Sequence, residues 1–218
     1  MDPNGGKKGM FNKLGRKEAI LRLEQESFNR VTVSFYRYII IENVESFRDK
    51  LYSEWKSLSA YGRIYLAKEG VNAQMSVPEH NWDKFVENLN SYDVLKDIPF
   101  KIAVEDDGKS FFKLTIKVRN QIVADGLSEN DYDVTNVGKH FGAREWNEAI
   151  ENGATVVDMR NHYESEIGKF KGAICPEVET FKEELPLVKE MLNGKENEQV
   201  LLYCTGGIMN MFYKKCFS

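Results

Sequence analysis

Apolar and polar positions alternate along several short segments of the first half of the chain, and segments with helical spacing separate them. Residues 31–41 are rich in β-branched and aromatic side chains, which predicts a central strand. Two amphipathic helices are predicted at residues 45–58 and 81–89. Further strands are predicted at residues 63–77, as a pair around the Glu69–Gly70 turn, and at residues 100–104 and 111–118.

The predicted order is strand, helix, strand, strand, helix, strand, which is typical of the split βαβ or ferredoxin-like α+β fold. We therefore expect an antiparallel sheet with two helices on one face over residues 30–124. The strand at 111–118 either extends that sheet or connects it to the second half of the chain. Residues 1–29 begin with glycines and lysines, and they are predicted to form a flexible basic tail.

The second half has a different pattern. Residues 125–140 are polar without periodicity and are predicted to be a linker. Residues 143–150 and 179–192 have helical spacing, the latter interrupted or restarted at Pro186. The apolar runs at 155–159 and 199–203 do not alternate, as expected for strands buried on both faces. The sequence thus predicts a parallel βαβ unit within a second, α/β domain at residues 141–218.

Composition narrows the possible classes of protein. The formal net charge of −4 disfavours global attraction to nucleic acid but leaves room for a local basic face. No apolar run approaches the ~20 residues that a membrane helix needs, and the N-terminus lacks the apolar segment of a secretory signal. The three cysteines form no CxxC pair, which predicts neither a disulfide framework nor a metal site. These features predict a cytoplasmic protein that is not associated with a membrane.

Cys204 is the strongest candidate for chemistry. It follows a predicted parallel strand directly, and ligands of α/β sheets bind beyond the carboxyl ends of the strands. Thr205, Gly206 and Gly207 come next, and the glycines allow a tight loop whose amides turn toward the sulfur and favour the thiolate. The alternative is a buried structural cysteine at a strand end.

Asp158 and Arg160 end the other parallel strand and are expected at the same sheet edge as Cys204. For Asp158 we favour a structural role, as an acceptor of backbone hydrogen bonds. Arg160 is expected to pair with Glu164 or Glu166, which is also structural.

The motifs VVDMRNHYESEIGKFKGAI and VLLYCTGGI resemble a rhodanese domain. With SFYRYIII and GRIYLAKEGVNAQMSVP in the first half, they resemble the bacterial tRNA uridine(34) hydroxylase family over residues 30–208. The resemblance implies an α/β N-terminal domain, a rhodanese-like second domain, and C5 hydroxylation of the tRNA wobble uridine with molecular oxygen as co-substrate. It also implies that Cys204 is essential, and it implies no certain cofactor, no metal and no stable protein partner.

tRNA is the partner that the resemblance implies, and basic side chains are the natural candidates to bind its phosphates. From charge alone, we expect these contacts at Arg37, Lys68, Lys117, Arg119 and Lys139.

The chain departs from the family after Ile208. Met209 stands where the family has a loop arginine, and Asn210 stands where it has a cysteine. We expect a chain truncated by a frameshift or shortened gene, with apolar faces at Val156, Leu201 and Leu202 partly exposed. Such a chain is expected to be a weak or inactive hydroxylase. A rhodanese-type sulfurtransferase with a persulfide on Cys204 and a non-catalytic RNA-binding remnant are the alternatives.

Overall fold

A computed structural model describes residues 15–104, 106–123, 138–178, 181–195 and 197–204 of the chain. It divides into two compact units, Met1–Val123 and Ala124–Ser218. Most of the linker predicted at residues 125–140 lies outside the described residues. The α/β class predicted from the sequence is confirmed, since each unit combines helices with a sheet.

The elements of the first unit are, in chain order, helix α1 (Arg16–Glu24), strand β1 (Arg30–Tyr38), helix α2 (Val44–Ser57), strands β2 (Tyr61–Ala67) and β3 (Gly70–Pro78), helix α3 (Trp82–Asn90), and strands β4 (Lys101–Ile102) and β5 (Leu114–Val118). The last two strands are shorter than the sequence predicted. The N-terminus of α2 is capped by Asn43, whose side chain accepts a hydrogen bond from the backbone N–H of Ser46 at 3.0 Å.

The five strands form one sheet in the order β4-β1-β3-β2-β5, so β1 is an interior strand, paired on both sides, next to the middle strand β3. β1 pairs antiparallel with β3 and β4, and β3 pairs antiparallel with β2. The antiparallel sheet expected for the split βαβ strands is therefore present, and the strand predicted at 111–118 extends it: β5 pairs with β2, in a parallel direction that the sequence did not indicate. After β4 the chain crosses to the opposite edge of the sheet, and it enters that edge in the direction of β2.

One face of the sheet carries the core. Trp55 of α2 and Phe85 of α3 are fully buried, with ring centroids 5.6 Å apart. Both rings contact Phe35 of β1, at 6.4 and 6.3 Å. The two predicted helices therefore cover the same face of the sheet, as the sequence indicated.

The flexible tail predicted at residues 1–29 is wrong for its last part, where α1 forms. Ala19 and Leu23 lie one helical turn apart and are both buried. The exposed Leu21 weakens the amphipathic pattern, which is why the sequence alone did not indicate a helix.

The turn between β2 and β3 requires glycine at its end. Gly70 has φ +147°, and a Cβ atom there would lie 2.1 Å from the carbonyl oxygen of Arg37. Only a residue without a side chain allows β3 to approach β1 this closely.

The second unit contains helix α4 (Ala143–Glu151), strand β6 (Thr155–Asp158), helices α5 (His162–Ile167) and α6 (Phe181–Met191), and strand β7 (Val200–Tyr203). β6 and β7 are parallel, as predicted. Helix α5 was not predicted. Helix α6 continues through Pro186 rather than breaking there, and Pro186 lies on its exposed side, where water can satisfy a carbonyl that loses its amide partner.

The expectation of exposed apolar faces in the second unit is also wrong. Val156, Leu201 and Leu202 keep only 5, 6 and 7% of their surface exposed. Val156 and Leu201 pack in one cluster with Ala149 of α4, and Trp146 borders that cluster. Helix α4, which was predicted as a short helix without a packing partner, thus covers this face.

Candidate functional site

Cys204 lies directly beyond the carboxyl end of β7. Asp158 and Tyr203 are paired at the ends of β6 and β7, so both strands end at the same sheet edge. The Cys204 side chain is half-buried, and Cys175 and Cys204 are both thiols rather than halves of a disulfide. Thr205, Gly206 and Gly207, the predicted supporting loop, lie outside the described residues.

A hydrogen-bonded network fixes the strand ends next to Cys204. The Asp158 carboxylate is 1% exposed and accepts hydrogen bonds from Arg160 Nε at 2.9 Å and from the Tyr203 hydroxyl at 2.6 Å. A second guanidinium nitrogen of Arg160 donates to Asp158 at 2.8 Å and to the carbonyl oxygen of Gly168 at 2.6 Å. The structural role expected for Asp158 agrees with this geometry. The expectation that Arg160 pairs with Glu164 or Glu166 was wrong. Arg160 pairs with Asp158, which lies two residues before it at the same sheet edge.

This network sets the charge of the site. Burial by itself would raise the pKa of the Asp158 carboxyl, but the hydrogen bonds from Arg160 and Tyr203 outweigh it and leave that pKa below its usual value. Burial, with the hydrogen bond to Asp158, raises the pKa of the Tyr203 hydroxyl to about 12. At neutral pH, a neutral tyrosine and an ion pair therefore border the strand end that carries Cys204.

Aromatic side chains hold the Tyr203 ring in place. Its centroid lies 5.0 Å from that of Phe170 and 6.2 Å from that of Trp146, both at nearly perpendicular orientation. The Arg160 guanidinium lies 5.2 Å from the same centroid. A ring held from several sides keeps its hydroxyl on Asp158, so the residue before Cys204 is well fixed.

Glu184 of α6 is a feature that the sequence analysis missed. Its side chain is only 4% exposed, and among the described residues its Oε1 atom has no hydrogen-bond partner. Burial, followed by the negative charge of Asp158, raises the pKa of Glu184 to about 8. The signal in the sequence was a glutamate one helical turn before the buried Val188.

The five predicted RNA contacts have different surroundings. The Arg37 guanidinium donates hydrogen bonds to the backbone carbonyl oxygens of Lys96 at 2.6 Å and of Asp97 at 3.0 Å, so it is already bound to this segment of the backbone. Lys68 and Lys117 are exposed. Arg119 lies 5.6 Å from the Tyr65 ring centroid.

Lys139 belongs to the second unit and pairs with the exposed Glu145 at 2.7 Å. The prediction that these five residues contact RNA stays a prediction.

Within the residues that the structure describes, no group of three or more histidine, cysteine, aspartate or glutamate side chains is arranged to hold a metal ion. In the same part of the chain, every helix is too short or too polar to cross a bilayer.

The first unit matches a known domain family. Residues 30–122 match the family model of the UPF0176 acylphosphatase like domain, which coincides with the sheet and helices of the first unit from β1 onward. This chain therefore contains a UPF0176-type N-terminal domain.

Curated relatives then specify the resemblance. The tRNA uridine(34) hydroxylase of Leptospira interrogans serogroup Icterohaemorrhagiae serovar Lai is 56% identical over 203 residues, which are 93% of this chain and 55% of the relative. The proteins of the same name from Yersinia enterocolitica and Photorhabdus laumondii are each 44% identical over 201 residues, 91% of this chain and 57% of theirs. Over more than nine tenths of its length this chain is similar to the tRNA uridine(34) hydroxylases, as its motifs indicated, and it spans little more than half the length of these relatives.

Proposed function

We propose that this chain acts on tRNA and hydroxylates the wobble uridine at C5, with Cys204 as the essential residue. The observation that supports this most is the position of Cys204. A half-buried thiol stands at the carboxyl edge of a parallel strand pair, next to a fixed ion pair, in a homologue of the tRNA uridine(34) hydroxylases. We place the reaction in the cytoplasm.

We assign the first unit a ferredoxin-like fold and the second a rhodanese-like fold. The strand order β4-β1-β3-β2 with both helices on one face supports the first assignment. The parallel pair β6 and β7 with a cysteine at its carboxyl edge supports the second.

In this proposal Cys204 supplies the reactive sulfur, and the amides of Thr205, Gly206 and Gly207 stabilise its thiolate. Asp158 and Arg160 are positioning residues that act through the strand ends. Molecular oxygen is the co-substrate. One oxygen atom enters at C5, and the other leaves as water after taking up two electrons and two protons from a cellular reductant.

Met209 bears on the level of activity. An arginine close to the sulfur would lower the thiol pKa, because an opposite charge within ~4–6 Å favours the charged form. We propose that the chain with Met209 is a weak hydroxylase and that Met209→Arg increases its activity.

The test is nucleoside analysis of tRNA from cells that lack the endogenous hydroxylase and express this chain. We expect 5-hydroxyuridine with the unchanged chain, none with Cys204→Ala, and an unchanged level with Cys175→Ala. Cys175 is a matched control because it is also a half-buried thiol of the second unit. Equal 5-hydroxyuridine from Cys204→Ala and the unchanged chain would refute the role of Cys204.

A sulfurtransferase activity is the second candidate, and the same position of Cys204 favours it. Purified protein would then form thiocyanate from thiosulfate and cyanide without any effect on tRNA nucleosides. Absence of both activities would leave RNA binding alone.

A further inference from the structure

The sheet of the first unit has a second face, opposite the one that α2 and α3 cover. Side chains alternate between the two faces of a strand. Val33 and Phe35 of β1 are buried in the core, so Ser34 and Tyr36 point to the second face. Strand pairing carries this face across the whole sheet.

Two rows of paired residues cross the middle of this face. The first row is Lys101, Ser34, Gln74, Arg63 and Thr115, and the second is Tyr36, Asn72, Tyr65 and Lys117. Arg63, Gln74, Lys101 and Lys117 are exposed, and the two tyrosines are half-buried. These side chains form what we call the platform.

The platform differs in charge from the chain as a whole. The chain has a formal net charge of −4, whereas the platform rows contain Arg63, Lys101 and Lys117 and no acidic residue. Arg119, just beyond β5, adds a further cation over the Tyr65 ring. Such a surface is complementary to a polyanion.

Loops close the two ends of the platform. At one end Asp106 accepts a hydrogen bond from the Thr32 hydroxyl at 3.0 Å, and the carbonyl of Gly108 accepts one from the Ser76 hydroxyl at 2.6 Å. At the other end the backbone N–H of Ile122 donates to the Glu69 carboxylate at 2.8 Å, and its carbonyl accepts from Asn72 at 3.1 Å. The platform therefore lies between these two loops, and the second loop rests on Asn72 in the second row, between Tyr36 and Tyr65.

The aromatic side chains indicate which polyanion fits. Tyr36 and Tyr65 occupy the same row on strands separated by β3, so they are ~10 Å apart. Unpaired bases stack on aromatic rings, whereas bases in a duplex already stack on one another. A sheet that presents aromatic rings between cations therefore suits single-stranded RNA.

We propose that the platform binds single-stranded RNA, with unpaired bases on Tyr36 and Tyr65 and phosphates on Arg63 and Lys117. A base on Tyr65 displaces the Arg119 guanidinium toward a neighbouring phosphate. The inference rests on the proposed function, because the wobble uridine lies in the single-stranded anticodon loop, and it names the surface that holds that loop.

The experiment measures binding of the full chain to a fluorescent anticodon stem-loop RNA by anisotropy at several salt concentrations. Tyr36→Ala and Tyr65→Ala are expected to weaken binding roughly 5- to 150-fold each, the range for loss of one stacked base. Arg63→Glu and Lys117→Glu are expected to weaken it and to reduce the salt dependence by about one ion per lost phosphate contact.

Controls separate the platform from general charge effects. Lys84→Glu changes the same charge on α3, which packs on the opposite face of the sheet, and binding is expected to stay unchanged. Tyr65→Phe keeps the ring and should bind like the unchanged chain. If Tyr65→Ala fails to fold, the Arg63→Glu and Lys117→Glu variants still test the proposal, because both side chains are exposed and their substitutions leave the core intact.

Three results would overturn the inference: unchanged RNA affinity in all platform variants, equal loss in Lys84→Glu, or equally tight binding of duplex RNA or polyglutamate. Because binding is measured without turnover, the outcome is distinct from that of the proposed function. The Cys204→Ala protein should bind RNA normally although it does not hydroxylate, and loss of hydroxylation without loss of binding leaves the platform in place.

Discussion

Replacing Glu184 with glutamine should remove a pH dependence from the stability of the second unit. In the folded chain Glu184 keeps its proton up to a pH of about 8, whereas its ordinary pKa is 4.5. Between these values unfolding releases a proton, so the free energy of unfolding decreases as the pH rises through this window. The amide of Gln resembles the protonated acid and cannot ionise.

The pKa shift sets the size of the effect. Each unit of pKa difference corresponds to about 1.4 kcal/mol, so a shift from 4.5 to about 8 gives an upper limit of about 5 kcal/mol. Water entry and local relaxation reduce the penalty of a buried charge, and we expect a measured difference of about 2 kcal/mol. The lowered pKa of Asp158 and the pKa of Tyr203 at about 12 fall outside this window, below and above it.

Urea unfolding of the full chain at about pH 5 and about pH 8.5 provides the assay. Pulsed hydrogen exchange of peptides from β6, β7 and α6 isolates the second unit. Glu184→Gln should match the unchanged chain at the lower pH and exceed its stability by about 2 kcal/mol at the higher pH.

Glu183→Gln serves as the control, since Glu183 is the exposed neighbour on the same helix and its pH profile should not change. If the unchanged chain and Glu184→Gln lose stability in parallel between the two pH values, the buried acid does not titrate as described.

Three further predictions concern stability. Asp158→Asn should lower the stability of the second unit by about 3 kcal/mol, because the buried partner of an arginine is lost; unchanged hydrogen exchange in β6 and β7 would contradict this. Gly70→Ala should destabilise the first unit by more than about 2 kcal/mol in urea unfolding, since the new Cβ meets the Arg37 carbonyl, whereas Gly15→Ala has open space and should be tolerated. A chain ending at Val123 should unfold in one cooperative transition by circular dichroism, and a broad melt would show that the first unit is not independently stable.

Local patterns in the sequence were sufficient for most elements of the fold. The spacing of Leu51 and Trp55 predicts α2 because a helix brings residues four apart to one face. The apolar runs that became β6 and β7 predict a parallel pair because such strands are buried on both sides. The position of Cys204 at a strand end follows from the same pattern.

The features that the sequence did not predict depend on contacts between residues distant along the chain. β5 joins the sheet in parallel with β2 because of the path taken after β4, which no local periodicity records. Helix α1 forms over two buried positions only. The coverage of Val156 and Leu201 depends on which face α4 packs against, and this is decided by tertiary packing.

The candidate site, like the fold, could be predicted from the sequence only in part. The sequence by itself determined that Cys204, Asp158 and Arg160 end two neighbouring strands, since strand direction and residue order are local properties. Only the tertiary structure decided that Asp158 joins Arg160 to Tyr203, that Glu184 is buried near Asp158, and that the platform gathers Tyr36, Tyr65, Arg63 and Lys117 on one face. Hydrogen bonding, burial and strand register join residues far apart in sequence, so they arise only when the chain has folded.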